Sequence, residues 1–168
     1  IDNSLLQKGS QWTVQRWART NPNAPNIWYE ELDYFNDYFL VKTKGRWGVV
    51  DSTQKEIIPQ TYLYIQPFFQ KYLQTLLVVT PEKKMGLIRI DKNGTPITEL
   101  PIEYDEVWVE DKSVKLKARK GEYKDYIFEG KPYLDFKYND VAYYDAIQAF
   151  MIKSGKKWGI ANTAGQQV

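Results

Sequence analysis

A short motif that returns at a near-constant period constrains this chain more than any other feature. Lys44-Gly45-Arg46-Trp47-Gly48-Val49-Val50-Asp51 joins a turn, an aromatic-glycine pair and an apolar run closed by an acid. Versions return as Lys84-Met85-Gly86-Leu87-Ile88 and as Lys156-Lys157-Trp158-Gly159-Ile160-Ala161-Asn162, with a faded copy at Gly121-Glu122-Tyr123-Lys124. The aromatic position falls at 47, 85, 123 and 158, separations of 38, 38 and 35 residues. A second signature runs in phase: a Tyr, an aliphatic residue three later, then an aromatic three after that. It reads Tyr29-Leu32-Phe35, Tyr62-Ile65-Phe68, Tyr104-Val107 and Tyr138-Val141-Tyr144, and the third copy has Glu110 where the aromatic belongs. Two signatures in the same order at such a period mean stacked supersecondary units, none of which buries its apolar face alone.

The order inside a unit predicts antiparallel β-structure. An apolar run comes first, as in Tyr38-Phe39-Leu40-Val41 or Leu76-Leu77-Val78-Val79. A basic turn with Gly follows, at Thr43 to Arg46 and Ser154 to Lys157, and then the aromatic-glycine strand. A second turn is clearest at Asp91-Lys92-Asn93-Gly94, where Asn-Gly supplies positive φ. Ile57-Ile58-Pro59 closes the unit, echoed weakly by Pro132-Tyr133-Leu134. Turn signals every eight to twelve residues mark short strands. A strand Gly costs stability unless something needs its missing Cβ. Its recurrence predicts a neighbouring backbone or ring lying over it, with the preceding Trp covering the opposite face. Trp47, Trp158, Tyr62, Tyr104 and Tyr138 are therefore expected to be mostly buried.

On these residues the chain resembles the WG-repeat family of bacterial proteins. The match is best across Leu40 to Tyr62, through Trp47, Gly48, Asp51, Ile57, Ile58, Pro59 and Tyr62. It is weaker across Leu77 to Tyr104, where Met85 replaces Trp, and returns across Met151 to Val168. The resemblance covers residues 27–168 and implies an all-β repeat array of about four antiparallel meander or hairpin units. The array is expected to be open and solenoid-like or closed as in a propeller. Such repeats resemble scaffolds and adaptors, and bring no shared catalytic residues.

Composition narrows function by exclusion. Net charge of +2 is too mild to imply a nucleic-acid partner. No apolar run is long enough for a helix to span a bilayer. Cysteine and histidine are both absent, which removes disulfides, thiolate chemistry, imidazole bases and the usual zinc ligands. No cofactor or metal motif is present. Aromatic residues at 15% favour packed sheet faces and binding surfaces alike. A chain opening at Ile1 is expected to be a processed or trimmed form.

Along the chain, residues 1–26 lie outside the repeats and read as an N-terminal arm, with a loop at Asn21-Pro22-Asn23-Ala24-Pro25-Asn26. The arm around Gln11 to Ala18 is expected to pair with the last unit of a closed array or to cap the first unit of an open one. The last unit stops at Gln166-Gln167-Val168, where others continue into an Ile-Ile-Pro strand. Either a longer chain or another strand is expected to complete that sheet. The third unit opens with acids Glu103, Asp105, Glu106, Glu110 and Asp111, followed by Lys112, Lys115, Lys117, Arg119 and Lys120. Lys115, Lys117 and Arg119 alternate with Val114, Leu116 and Ala118, a strand with one charged and one apolar face.

The function expected is non-catalytic binding of another protein, in a bacterial envelope, cell-surface, periplasmic or secreted setting; toxin immunity is one form of it. Carbohydrate binding through exposed rings is the alternative. A glycoside-processing enzyme needs only two facing carboxylates, and nothing singles out a pair. Aromatics outside the two signatures are the candidate anchors: Trp28, Tyr34, Tyr38, Trp108, Tyr126 and Tyr143. Trp108, with Glu106, Glu110 and Asp111 beside it, is the first choice, because interface hot spots favour Trp and Tyr near charge. Tyr143 and Trp28 come next.

Overall fold

The computed structural model describes residues 27–68, 75–110 and 115–168. Among them the secondary structure is strand and turn only, in four antiparallel sheets met in chain order, with no closed barrel. The first is β1(Glu31–Phe35), β2(Tyr38–Thr43), β3(Arg46–Val50) and β4(Glu56–Tyr62). The second is β5(Tyr64–Pro67), β6(Thr75–Val79), β7(Met85–Ile90) and β8(Pro96–Tyr104). The third is β9(Glu106–Glu110), β10(Lys115–Lys120), β11(Tyr123–Phe128) and β12(Lys131–Pro132). The fourth has three strands, β13(Asp140–Tyr144), β14(Ala149–Ser154) and β15(Lys157–Asn162). Each sheet is a meander whose strands neighbour one another in chain order. The expected arm at residues 11–18 lies outside the described residues. Among the described residues, no helix is long and apolar enough to cross a membrane.

The tyrosine signature stands at the entrance to each meander. Tyr29 precedes β1, Tyr62 closes β4 just before β5, Tyr104 closes β8 just before β9, and Tyr138 precedes β13. The aliphatic residue three later sits in the first strand, opposite the buried centre of the second. Leu32 faces Val41, Ile65 faces Val78, Val107 faces Ala118 and Val141 faces Ile152. The signature is thus a strand in its own right, and each of the first three units has four strands, not three.

Turns repeat as faithfully as strands. Lys44 and Gly45 both have positive φ, 49° and 71°, the geometry that a two-residue hairpin of matching twist requires. After the third strand, an acid or amide brackets the next turn. Asp51 Oδ1 accepts from Thr53 N at 2.8 Å and Lys55 N at 3.0 Å. Asp91 Oδ1 accepts from Asn93 N and Thr95 N, both at 2.8 Å. Asn162 Oδ1 accepts from Ala164 N at 3.0 Å and Gln166 N at 2.9 Å. The third meander has Phe128 there and makes a two-residue turn through Glu129 and Gly130, φ 48° and 76°.

The packing forms two compact units. One holds the described residues up to 83 together with 87–98; the other holds 84–86 and 99–168. In the first, Tyr29, Val41 and Val50 form a cluster with Leu32 and Phe39 against it. In the second, Tyr126 and Leu134 pack on Val141, Phe150, Ile152 and Ala161 of the fourth sheet. Each large side chain so buried contributes roughly 1.5–3 kcal/mol.

The conserved geometry around glycine has the predicted cause. A Cβ on Gly48 would lie 2.7 Å from Ile58 O and 2.8 Å from Gln60 N, so the backbone of β4 crosses over it. A Cβ on Gly86 would lie 2.7 Å from Ile102 Cα and 2.8 Å from Leu100 O of β8. The expected burial of the rings holds in part. Tyr104 is 2% exposed. Trp47, Tyr62 and Tyr138 are half-buried. Trp158 is 54% exposed, against expectation. The reason is local: Trp47 has Tyr62 of β4 directly opposite, and among the described residues the fourth sheet has no corresponding strand.

Candidate functional site

Strand pairing corrects the alignment of the third unit and shows why it differs. Val41 pairs with Gly48 and Ile152 with Gly159; the same pairing in the third sheet is Ala118 with Asp125. Asp125 therefore occupies the glycine position and Lys124 the tryptophan position, not Tyr123 as the faded motif suggests. The same registers place Lys117 where the first two units have Leu40 and Leu77, and Tyr126 where the first has Val49.

Asp125 is 0% exposed. Its Oδ1 accepts from Tyr126 N at 2.8 Å, and its Oδ2 from Leu134 N at 2.7 Å and Phe136 N at 3.1 Å. In the first two units a strand backbone lies over the glycine. Here the fourth strand is only two residues long, and the carboxylate takes the N–H groups of the segment that follows it. Burial pushes the Asp125 carboxyl above its ordinary value, against the pull of those three donors.

Lys117 is 6% exposed, so the strand read as having a solvated charged face is sunk at its centre. Its Nζ donates to Val141 O at 2.5 Å and lies 3.7 Å from both Glu110 and Asp140. It also stands 5.1 Å from the Tyr126 ring centroid and 6.0 Å from that of Trp108. The Tyr126 hydroxyl donates to Glu110 Oε2 at 2.7 Å and accepts from Tyr143 N at 3.0 Å. Burial, then donation to Glu110, push this phenol well above the usual tyrosine range. A buried ammonium is tolerable only with such partners.

Above this network lies the surface that contains most of the candidates. β9 and β10 pair Glu106 with Arg119, Trp108 with Lys117, and Glu110 with Lys115. Glu106 is bridged to Arg119 at 3.2 Å. Lys115 lies 3.8 Å over the ring of Tyr143 and 3.1 Å from Asp145. Trp108, Glu110 and Tyr143 are thus brought to one site, all half-buried, and Glu106 stands at its end, exposed. Trp28 is exposed in the other compact unit, and Asp111 lies outside the described residues. Of the remaining aromatics, Tyr34 is exposed and Tyr38 half-buried, while Tyr126 is buried and serves the network instead.

The acidic run is matched by cations of the same compact unit. Glu103 meets Lys120 at 3.1 Å. Asp105 meets Lys84 at 2.5 Å and accepts from Gly121 N at 2.6 Å, which holds its carboxyl below the usual range. The surface around Trp108 is therefore of mixed sign. Among the described residues, no group of three or more acids is placed to hold a metal. Sequence reasoning missed Lys117, Tyr126, Asp140 and Asp125 as a set. The available signal was the exchange of Leu for Lys and Gly for Asp at fixed repeat positions, hidden by setting the third copy one residue early. No protein-family model matches the sequence, and no curated protein matches it.

Proposed function

We propose that the chain is a non-catalytic protein-interaction module of the WG-repeat type, serving as a binder or immunity protein in a bacterial envelope. One observation carries the reading: Trp108 is half-exposed between two ion pairs that join β9 to β10, Glu106 with Arg119 and Glu110 with Lys117. The ring is braced from beneath by Lys117, which has four partners of its own. A rigid aromatic with charge on either side loses little freedom on binding, the property of interface anchors.

The exposed rings argue for a protein partner over a sugar. Trp28, Tyr34, Tyr64, Tyr123, Phe128, Tyr133, Tyr144 and Trp158 are all exposed, yet they fall at different positions of the repeat. A row of equivalent rings, which a polysaccharide would use, is not formed by them. The test is capture with the wild-type chain and with Trp108→Ala as baits, followed by affinity measurement on the protein retained. Trp108→Ala should weaken binding by about 2 kcal/mol or more, roughly thirtyfold, with thermal stability nearly unchanged. Equal capture by both baits, or loss of folding in the variant, would remove the support.

A further inference from the structure

Asn93 is the one asparagine of the chain that is followed by glycine. The pair sits in the turn that joins β7 to β8, with the Asn93 side chain exposed. Glycine has no side chain to hinder its own amide nitrogen, which can therefore approach the carbonyl carbon of the preceding asparagine side chain. In an unrestrained peptide such a pair loses ammonia spontaneously in water. The local structure decides whether it does so here.

The turn holds the reacting atoms apart. Gly94 N donates to Asp91 O at 3.0 Å, and Asp91 N to Thr95 O at 2.9 Å. Asp91 Oδ1 accepts from both Asn93 N and Thr95 N. Gly94 has φ 79°, while Lys92 and Asn93 stay outside the left-handed region. This is a type I turn closed by a left-handed glycine, with Asn93 at its third position, where ψ is about 0°. Ring closure needs the Gly94 nitrogen eclipsed with Cβ about the Cα–C bond of Asn93, and a ψ of about 0° leaves the two roughly 120° apart. The Tyr38 hydroxyl of the first sheet braces the same turn, 3.3 Å from the place of an added Cβ on Gly94. The attacking N–H is engaged and misaligned for as long as the turn is closed.

We propose that Asn93 is a latent modification site, converted through a succinimide to aspartate and isoaspartate when the turn at 91–95 opens, and that Asp91 is the residue that keeps it shut. In the open turn, hydroxide takes the Gly94 amide proton and the nitrogen attacks Asn93 Cγ. The N–Cγ bond forms, the Cγ–Nδ2 bond breaks, and the leaving nitrogen takes a proton from water and departs as ammonia. Water then adds to one of the two ring carbonyls and opens the ring. One opening gives aspartate; the other gives isoaspartate, whose main chain runs through Cβ. That longer main chain no longer brings both N–H groups to Asp91 Oδ1, so the turn between β7 and β8 does not re-form as before. The site is a one-way record of turn opening.

The test incubates the full chain in mildly alkaline buffer and follows Asn93 by peptide mass mapping, with isoaspartate separated from aspartate by chromatography. A synthetic peptide of residues 88–97 gives the rate of the unrestrained pair. Asn93 in the folded wild type is expected to convert at least tenfold more slowly than in the peptide, because only the opened fraction reacts. Asp91→Ala should raise the rate in the folded chain at least fivefold. Asp91→Asn should stay close to wild type, since Asn162 brackets its own turn with an amide oxygen. Circular dichroism checks that each variant is folded; if Asp91→Ala is not, Asp91→Glu, which moves the carboxylate one methylene away, gives the same readout. Conversion in the folded wild type as fast as in the peptide would overturn the proposal. So would a folded Asp91→Ala or Asp91→Glu chain that converts no faster than wild type, or Asp91→Asn converting as fast as Asp91→Ala.

Discussion

Asp125 and Lys117 show how a repeat position changes its chemistry without losing its place. Each replaces a small or apolar residue of the other units, and each is buried with the partners it needs. Asp125→Asn turns an amide N–H₂ toward backbone donors and should cost about 1–3 kcal/mol at neutral pH, read by urea unfolding. Its pH dependence has a definite sign. The folded Asp125 carboxyl lies above its ordinary value because of burial, so the folded state holds the proton more tightly than the unfolded one. That contribution is complete below the ordinary aspartate range and is lost as pH climbs through the raised value. The stability gap between wild type and Asp125→Asn should therefore narrow as pH rises through that window. A gap that widens would mean that the three N–H donors outweigh burial. Neither residue was legible from the sequence alone. A lysine among alternating charges reads as solvent-facing, because Glu110 on the neighbouring strand and Asp140, 23 residues on, become its partners only through pairing and packing.

At the level of the strand, one glycine serves two states. Gly48→Ala forces a Cβ within 2.7 Å of Ile58 O, and β4 must shift to admit it. Loss of about 2 kcal/mol or more is expected in chemical denaturation, in the range of overpacked sites. Gly159→Ala meets nothing closer than 3.4 Å and should leave stability within about 0.5 kcal/mol of wild type or raise it slightly. Equal losses at the two sites would contradict the covering-strand account. The meander order, the turns and the reason for the glycine could all be read in the sequence, because period and turn chemistry are local. The exposure of Trp158 could not: the motif around it is intact, and what differs is the strand beside it.

For the molecule as a whole, the four meanders hold the chain that follows their third strand in different ways. Asp51 and Asp91 bracket the turn there in the first two, Asp125 clasps the segment after β12 in the third, and Asn162 brackets the turn after β15 in the fourth. The Asp51 carboxyl, although partial burial opposes it, is held below its ordinary value by the Thr53 hydroxyl and by the amides of Thr53 and Lys55. The Asp91 carboxyl is held low chiefly by the Thr95 amide. Stability from these two is present above the ordinary aspartate value and is lost as pH falls through their lowered folded values. Asn162 has no proton to gain. Hydrogen exchange followed into acid should show the turns at 51–55 and 91–95 opening while that at 162–166 stays closed, and Asn162→Asp should make the last turn open with the others. Acid should thus not loosen this array evenly: the first two meanders lose a turn clasp that the last one keeps.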